Sequence, residues 1–417
     1  MIRELKVAYF VTLAAIALNL VFVVCGLMPA SAFASYGRES VLVNASLLFG
    51  HAALLVFFSR PSRRELAMIF GVGLVTAPLF LWLVPFPLSD LSVAVRIVAG
   101  STGVGLAGVA ALVLRLRNPK YDFAAACTLL AAWGLALFLD FAAQLSLSLT
   151  AALHPTTLDL YLYKFEDSLG FKALQIYGMV ANAVPALSTV LLVIYSFLPY
   201  ALPIFFAMQV ARRTTAPANI LLVQMLSAIV ALTLFQVFPA TGPKYAFGAL
   251  YPYFLPPAHE LPASWVGVLP VPRNAMPSMH FGWSLALWLN SLYLGNRWLR
   301  AAMALLLGGN VVATLGLGEH YLIDLVVAVP CVMAVQALCT NNLAWDDPAR
   351  RRMLVWGSAL TLAWLLALRF GLEVFLKVPG LSWVAIIATL TGSVALYRPL
   401  HRAAAAALAR GPAPLVL

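Results

Sequence analysis

Two histidines, an aspartate, a serine and two cations stand out in this chain because so few of its other residues can move a proton or hold a charge. The segment FPATGPKYAF carries Lys244 behind Pro239 and Pro243. RNAMPSMHFGWSLALW carries Arg273, Ser278 and His280 in front of an apolar run, and GLGEHYLIDLVV carries His320 and Asp324. These last two stand four residues apart and so share one face of a helix. Asp324 can accept the Nδ1 proton of His320, fixing the tautomer and leaving Nε2 as an unprotonated nucleophile for covalent catalysis. His280, on another helix, can protonate a departing alkoxide. Lys244 and Arg273 would neutralise a phosphoryl group whose charge grows on its equatorial oxygens. Ser278 and the free amides of the following helix start add donors, since helix N-termini bind anions.

Each residue also has a plainer reading. A lysine or arginine at a membrane boundary commonly anchors a helix by snorkelling, a lone interfacial histidine is commonly a satisfied polar residue, and His320 with Asp324 can be a buried hydrogen-bonded pair. Their gathering at one depth shifts the balance, because ionisable groups within a membrane are expensive and usually functional.

The elements that must position them are membrane helices. The chain has 417 residues, 63% hydrophobic and 10% charged, with a mean hydropathy of +0.94, well beyond the composition of soluble domains. Apolar runs of bilayer-crossing length lie at Val7 to Met28, Val41 to Phe58, Leu66 to Val84, Leu91 to Leu114 and Phe123 to Leu149, then Leu187 to Ala211 and Ile220 to Phe238. Further runs follow at Met279 to Gly295, Trp298 to Gly316, Tyr321 to Cys339, Met353 to Phe375 and Leu381 to Tyr397. The expectation is an all-α, polytopic bundle of about twelve transmembrane helices. The net charge of +11 comes from short basic clusters between the runs, the pattern of the positive-inside rule, so nucleic acid is not an expected partner. Charge favours one crossing over two for Lys172 to Ala211, preceded by an in-plane or re-entrant helix. Both termini then fall in the cytoplasm, and the loops Pro239 to Pro277 and Gly318 to His320 share the extracytoplasmic face.

Cys25, Cys127, Cys331 and Cys339 lie in apolar stretches without metal-ligand spacing and read as small core residues. Gly100, Gly103, Gly105 and Gly108, mid-span, suggest close helix packing. Arg369 and Glu373, four apart, read as a structural ion pair, and Arg96 and Asp140 as partners across helices or the lining of a lipid path. His51, His154, His259 and His401 have no matching partner spacing. The segment YPYFLPPAHELPASW reads as a loop capping the site, with Tyr251, Tyr253 and Trp265 suited to the headgroup layer.

The order of these parts resembles the type 2 phosphatidic acid phosphatase superfamily: a basic motif ending the third helical element of a six-helix core, Pro-Ser-x-His opening the fourth and His-x-x-x-Asp opening the sixth. AMPSMHFGWSLALW with EHYLIDL is similar to the branch containing inositol phosphorylceramide synthases, and HYxxD also to sphingomyelin synthases. The resemblance runs from about Asp159 to Cys339. It implies His320 as the nucleophile forming a phosphohistidine, Asp324 as its orienting partner, His280 as general acid and Lys244 as phosphate ligand. Met279 stands where many of these phosphatases have glycine, and Ala313 and Thr314 occupy the place of a Ser-Arg pair. Those departures lean towards the transferase branch, with Arg273 a candidate for the lost charge.

Three regions follow: a five-span stretch over 1–150, a catalytic core over 151–340, and two spans with a tail over 341–417. The leading expectation is a lipid phosphotransferase in the bilayer, taking lipids with a phosphate headgroup as substrates. A lipid phosphate phosphatase is the alternative, and a transporter or flippase the rival class. No metal and no other cofactor is expected, because side-chain cations offset the charge and no carboxylate cluster is present. No oligomeric state is assigned.

Overall fold

The computed structural model describes residues 38–83, 91–211, 216–261 and 271–410, with scattered positions between 5 and 21. Among the described residues the fold is all-α, without strands. The helices are α1 (Arg38–Phe58), α2 (Arg63–Leu83), α3 (Leu91–Arg117), α4 (Phe123–Leu153), α5 (Asp159–Asp167), α6 (Ala173–Ala183), α7 (Pro185–Ala211) and α8 (Ile220–Val237). They continue as α9 (Pro243–Phe247), α10 (Met279–Ser291), α11 (Arg297–Gly316), α12 (Leu322–Leu338), α13 (Pro348–Phe370), α14 (Leu372–Lys377) and α15 (Leu381–Ala409). Among the described residues five of these, α7, α8, α11, α13 and α15, are long and apolar enough to cross a membrane, as befits a multi-pass membrane protein. Most of the expected first span, Cys25, residues 262–270 with Trp265, and the side chains of Arg96 and Asp140 lie outside the described residues.

The chain divides into two compact units, residues 1–145 with 199–214 and residues 146–198 with 215–417. In the first, α1 and α3 pack backbone to backbone: a Cβ on Gly105 would stand 2.1 Å from the Phe49 carbonyl carbon, and one on Gly108 2.4 Å from the Ala53 nitrogen. Only glycine admits that approach, as expected of small residues between membrane helices. A buried network ties the ends of α1, α2 and α3, where Arg115 donates to Glu65 Oε1 and Ser59 Oγ, each at 2.6 Å. Arg115 is therefore a structural staple rather than a free surface cation.

The second unit contains the six residues singled out for chemistry. Polar side chains pin its apolar helices: Asn290 on α10 and Gln336 on α12 exchange amide hydrogen bonds of 2.9 and 3.2 Å, and Asn310 on α11 donates to Ser284 on α10 at 2.8 Å. In a medium without competing water such bonds fix register. Arg350, buried at the start of α13, donates to the carbonyls of Ala337, Leu338 and Leu343 and so satisfies the end of α12, where a cation also suits the helix dipole. The stretch after Lys172 splits into α6, whose 11 residues span only about 16 Å, and α7 with 27 residues. By length and composition α7 can cross a membrane, whereas α6 is too short to do so.

The expected pairing of Arg369 with Glu373 does not form. Gly371 separates α13 from α14, so the two residues leave a common helical face. Arg369 donates to the Val237 carbonyl at 2.7 Å and Glu373 pairs with Lys377 at 3.4 Å. Cys331 and Cys339 are buried and Cys127 is partly buried, in keeping with small core residues.

Helix α5 is held by aromatic packing. Phe165 is fully buried and meets Trp364 edge-on at 5.5 Å and Phe375 at 5.2 Å. Around it lie Leu162, Met276, Tyr321 and Ile323, so one apolar cluster fixes α5 against the start of α12. Truncating a buried phenylalanine costs about 3–5 kcal/mol. Phe165→Ala is expected to lower the thermal unfolding midpoint of the detergent-purified chain clearly, whereas a change confined to the exposed Phe70 on α2 leaves it in place.

Candidate active site

The site begins with a carboxylate that the chemistry does not use. Asp159, at the first turn of α5, is 1% exposed. It accepts from the Thr241 amide at 3.0 Å, the Gly242 amide at 2.9 Å, the Thr241 hydroxyl at 3.1 Å and the Tyr321 hydroxyl at 3.2 Å. Burial pushes its carboxyl pKa up, and the donors on Thr241 and Gly242 pull it back. The loop before α9 is thereby tied to the residue that follows His320. Gly242 seals the contact: its φ is +97° and a Cβ there would lie 2.2 Å from the Glu319 carbonyl oxygen, so both conformation and space demand glycine. The Lys244 amide donates to the Gly318 carbonyl at 2.9 Å.

The third loop is stitched in the same way. The Ala275 amide donates to the Ala240 carbonyl at 2.9 Å, and the Ser278 amide donates to the Asp324 carbonyl at 3.1 Å. Three chain segments far apart in sequence thus share one network of backbone bonds, and the ring centroids of His280 and His320 come to 6.5 Å.

His320 is 4% exposed. Its Nδ1 lies 2.9 Å from the Ala275 carbonyl oxygen. A carbonyl only accepts, so Nδ1 carries the proton and Nε2 keeps its lone pair. This differs from the acceptor expected from spacing. Asp324 Oδ2 is 3.5 Å from Nδ1 and is taken by the Tyr321 amide at 2.8 Å, which makes Asp324 a cap of α12 and a more distant electrostatic partner of the imidazole. Burial pushes the His320 pKa down to about 4, against the pull of Glu319 and the Ala275 carbonyl. The ring is neutral at pH 7.

His280 sits one residue into α10, its ring stacked on Tyr195 of α7 at 3.7 Å and 15°. Ser278 is the residue before α10; its hydroxyl is buried and has no partner among the described residues. Lys244 is half-exposed, with its ammonium 3.6 Å from Glu319 Oε1. Arg273 is held differently: it is 2% exposed, and its guanidinium donates to the carbonyls of His154 at 3.0 Å and Val271 at 2.6 Å, which fixes the approach to the Met276–Pro277 turn. The structure therefore brings His280, His320, Asp324, Ser278 and Lys244 into one cluster of loops and helix starts, while the Arg273 head is directed to backbone.

Four contributors escaped the sequence reading: Asp159, Glu166, Glu319 and Tyr195. Glu166, on α5, accepts from the Leu322 amide through Oε1, so the start of α12 carries a carboxylate on each of two successive amides. Burial, with the nearby Asp324 adding to it, pushes the Glu166 pKa up to about 8 despite that amide. Acidic residues are scarce here, 15 in all, and the three between residues 154 and 172, Asp159, Glu166 and Asp167, were the available signal. Thr314, one of the two residues in the place of a Ser-Arg pair, offers its carbonyl to the amides of Glu319 at 3.0 Å and His320 at 3.2 Å.

Hydrogen bonds to a charged group contribute about 1.5–3 kcal/mol each. Asp159→Ala is therefore expected to speed hydrogen exchange at the Thr241 and Gly242 amides by at least about tenfold; unchanged protection there would remove Asp159 from this role.

Comparison with known proteins adds to this geometry. No curated protein and no solved structure matches the chain. Residues 160–338, the stretch holding all six singled-out residues, match the family model of the PAP2 superfamily, whose members are phosphatases or phosphotransferases, and the chain is consistent with an enzyme of that superfamily.

Proposed function

We propose that this chain is a membrane lipid phosphotransferase that works through a phosphohistidine on His320 and moves a phosphoryl-bearing headgroup between lipids, in the manner of an inositol phosphorylceramide synthase. The observation that carries it is the pair of imidazoles 6.5 Å apart, one with its Nδ1 proton fixed by a carbonyl at 2.9 Å. One phosphoryl group between the rings reaches both, given attack distances of about 3–3.5 Å.

In the first half-reaction Nε2 of His320 attacks phosphorus, the bond from phosphorus to the leaving oxygen breaks, and His280 gives that oxygen a proton. In the second, His280 takes the proton of an acceptor hydroxyl, whose oxygen attacks phosphorus while the phosphorus–nitrogen bond breaks. Together the two halves return the histidines to their starting states, His280 protonated and His320 neutral. Lys244 supplies charge to the equatorial oxygens, and Ser278 with the first amides of α10 supplies donors. Asp324 steadies the turn bearing His320. With water as acceptor the same steps give a phosphatase; Ala313 and Thr314 in place of a Ser-Arg pair favour the transferase. The basic clusters favour a site at the extracytoplasmic face with both termini in the cytoplasm.

His320→Ala is expected to lower turnover by at least about 10³-fold and to abolish acid-labile phosphorus labelling of the chain, and His280→Ala to lower it by about 10²–10⁴-fold. Retained labelling in His320→Ala would sink the proposal. Lipid mass spectrometry of the products separates a transferred headgroup from a hydrolysed one.

The pH profile gives an independent check. The nucleophile needs a neutral ring, and His320 stays neutral until the pH falls to about 4. With a phosphodiester donor, which does not titrate in this range, kcat/KM is expected to show no acid limb between pH 7 and 5 and to fall only near 4. An acid limb at about 6.5, the ordinary histidine value, would contradict this.

A further inference from the structure

One charged group at the site has no part in the reaction above. Glu319 immediately precedes His320 and faces Lys244, Nζ to Oε1, at 3.6 Å. Its backbone is pinned, with the amide bound to the Thr314 carbonyl at 3.0 Å and the carbonyl against Gly242, and the Tyr245 hydroxyl approaches Oε1 at 3.5 Å. Its side chain is 19% exposed, against 53% for Lys244. The cation meant for phosphate thus arrives already paired with a carboxylate, while the other candidate cation, Arg273, is directed to the His154 and Val271 carbonyls.

That balance has a consequence for the substrate. A phosphomonoester carries close to two negative charges at neutral pH, and a phosphodiester carries one. Against Lys244 and Glu319 together, a second charge on the substrate meets repulsion with no second lysine or arginine head turned to it among the described residues of the cluster. Resting on the phosphohistidine reading, we propose that Glu319 is a specificity-determining residue that selects monoanionic phosphodiester lipids over dianionic phosphomonoesters. A like charge within about 4–6 Å disfavours the charged species by about a factor of ten or more.

The test uses two lipids with the same leaving group and different charge: phosphatidic acid, a monoester, and phosphatidylmethanol, its methyl diester. From either, attack by His320 releases diacylglycerol, leaving phosphohistidine or methylphosphohistidine. The purified full-length chain in mixed micelles is expected to show the higher kcat/KM for phosphatidylmethanol. Glu319→Gln is expected to move the ratio about tenfold towards phosphatidic acid, and Glu319→Asp to keep the original preference. A wild-type preference for phosphatidic acid overturns the inference without need of a variant, and so does a Glu319→Gln chain that turns over either lipid with an unchanged ratio. Absence of both diacylglycerol release and His320 labelling with these lipids and with a phosphosphingolipid-forming donor pair sinks the phosphohistidine reading itself, and this inference with it.

Discussion

The buried carboxylate of Asp159 is the constraint on which the site depends. It gathers two amides and two hydroxyls from segments that include Tyr321, 162 residues away. A charge out of water is costly unless it is fully bonded, so the carboxylate penalises any arrangement that withdraws the loop before α9 from the start of α12. The apolar cluster around Phe165 supplies the attraction that brings α5 into place, and Asp159 gives that attraction a geometry. Lys244, Glu319 and His320 inherit their positions from it.

Neutrality at His320 follows from burial, which disfavours the charged ring and outweighs the upward pull of Glu319 and the Ala275 carbonyl. The carbonyl decides instead which nitrogen keeps the proton, leaving the other free to react. Delegating the tautomer to Ala275 leaves Asp324 to cap α12, with Glu166 beside it on the next amide. Two carboxylates suit the positive end of a helix, and the raised pKa of Glu166 limits their mutual repulsion. The nucleophile therefore stands at a helix start made rigid by its own carboxylates, with anion-binding donors left to α10.

The surrounding helices are aligned by contacts suited to a medium without water. Glycines let α1 and α3 meet backbone to backbone in one unit. In the other, the Asn290–Gln336 exchange and the Asn310–Ser284 bond fix α10 against α12 and α11, while Arg350 closes the far end of α12. Basic residues that look interchangeable as topology markers prove different in kind: Arg115 and Arg350 are buried and bonded, whereas Lys377 is an exposed partner of Glu373.

Sequence alone determined what is local. Hydropathy over a helix length sets the all-α membrane class, because a bilayer requires every backbone group to be satisfied within its segment; proline and histidine placed just before apolar runs mark the loops where chemistry can reside; and mid-span glycines announce close packing. Tertiary structure decided which partners those residues take. The acceptor for His320 is a backbone carbonyl, a group every residue carries and no pattern advertises. Asp159 and Glu166 act across the length of the core, so their spacing to the motifs is uninformative. Arg273 turned to carbonyls because burial demands that its donors be satisfied nearby, and Gly371 parted Arg369 from Glu373 by ending a helix. Hydrogen bonds and charge pairs between distant segments depend on where the chain folds back, and that geometry is absent from the order of residues.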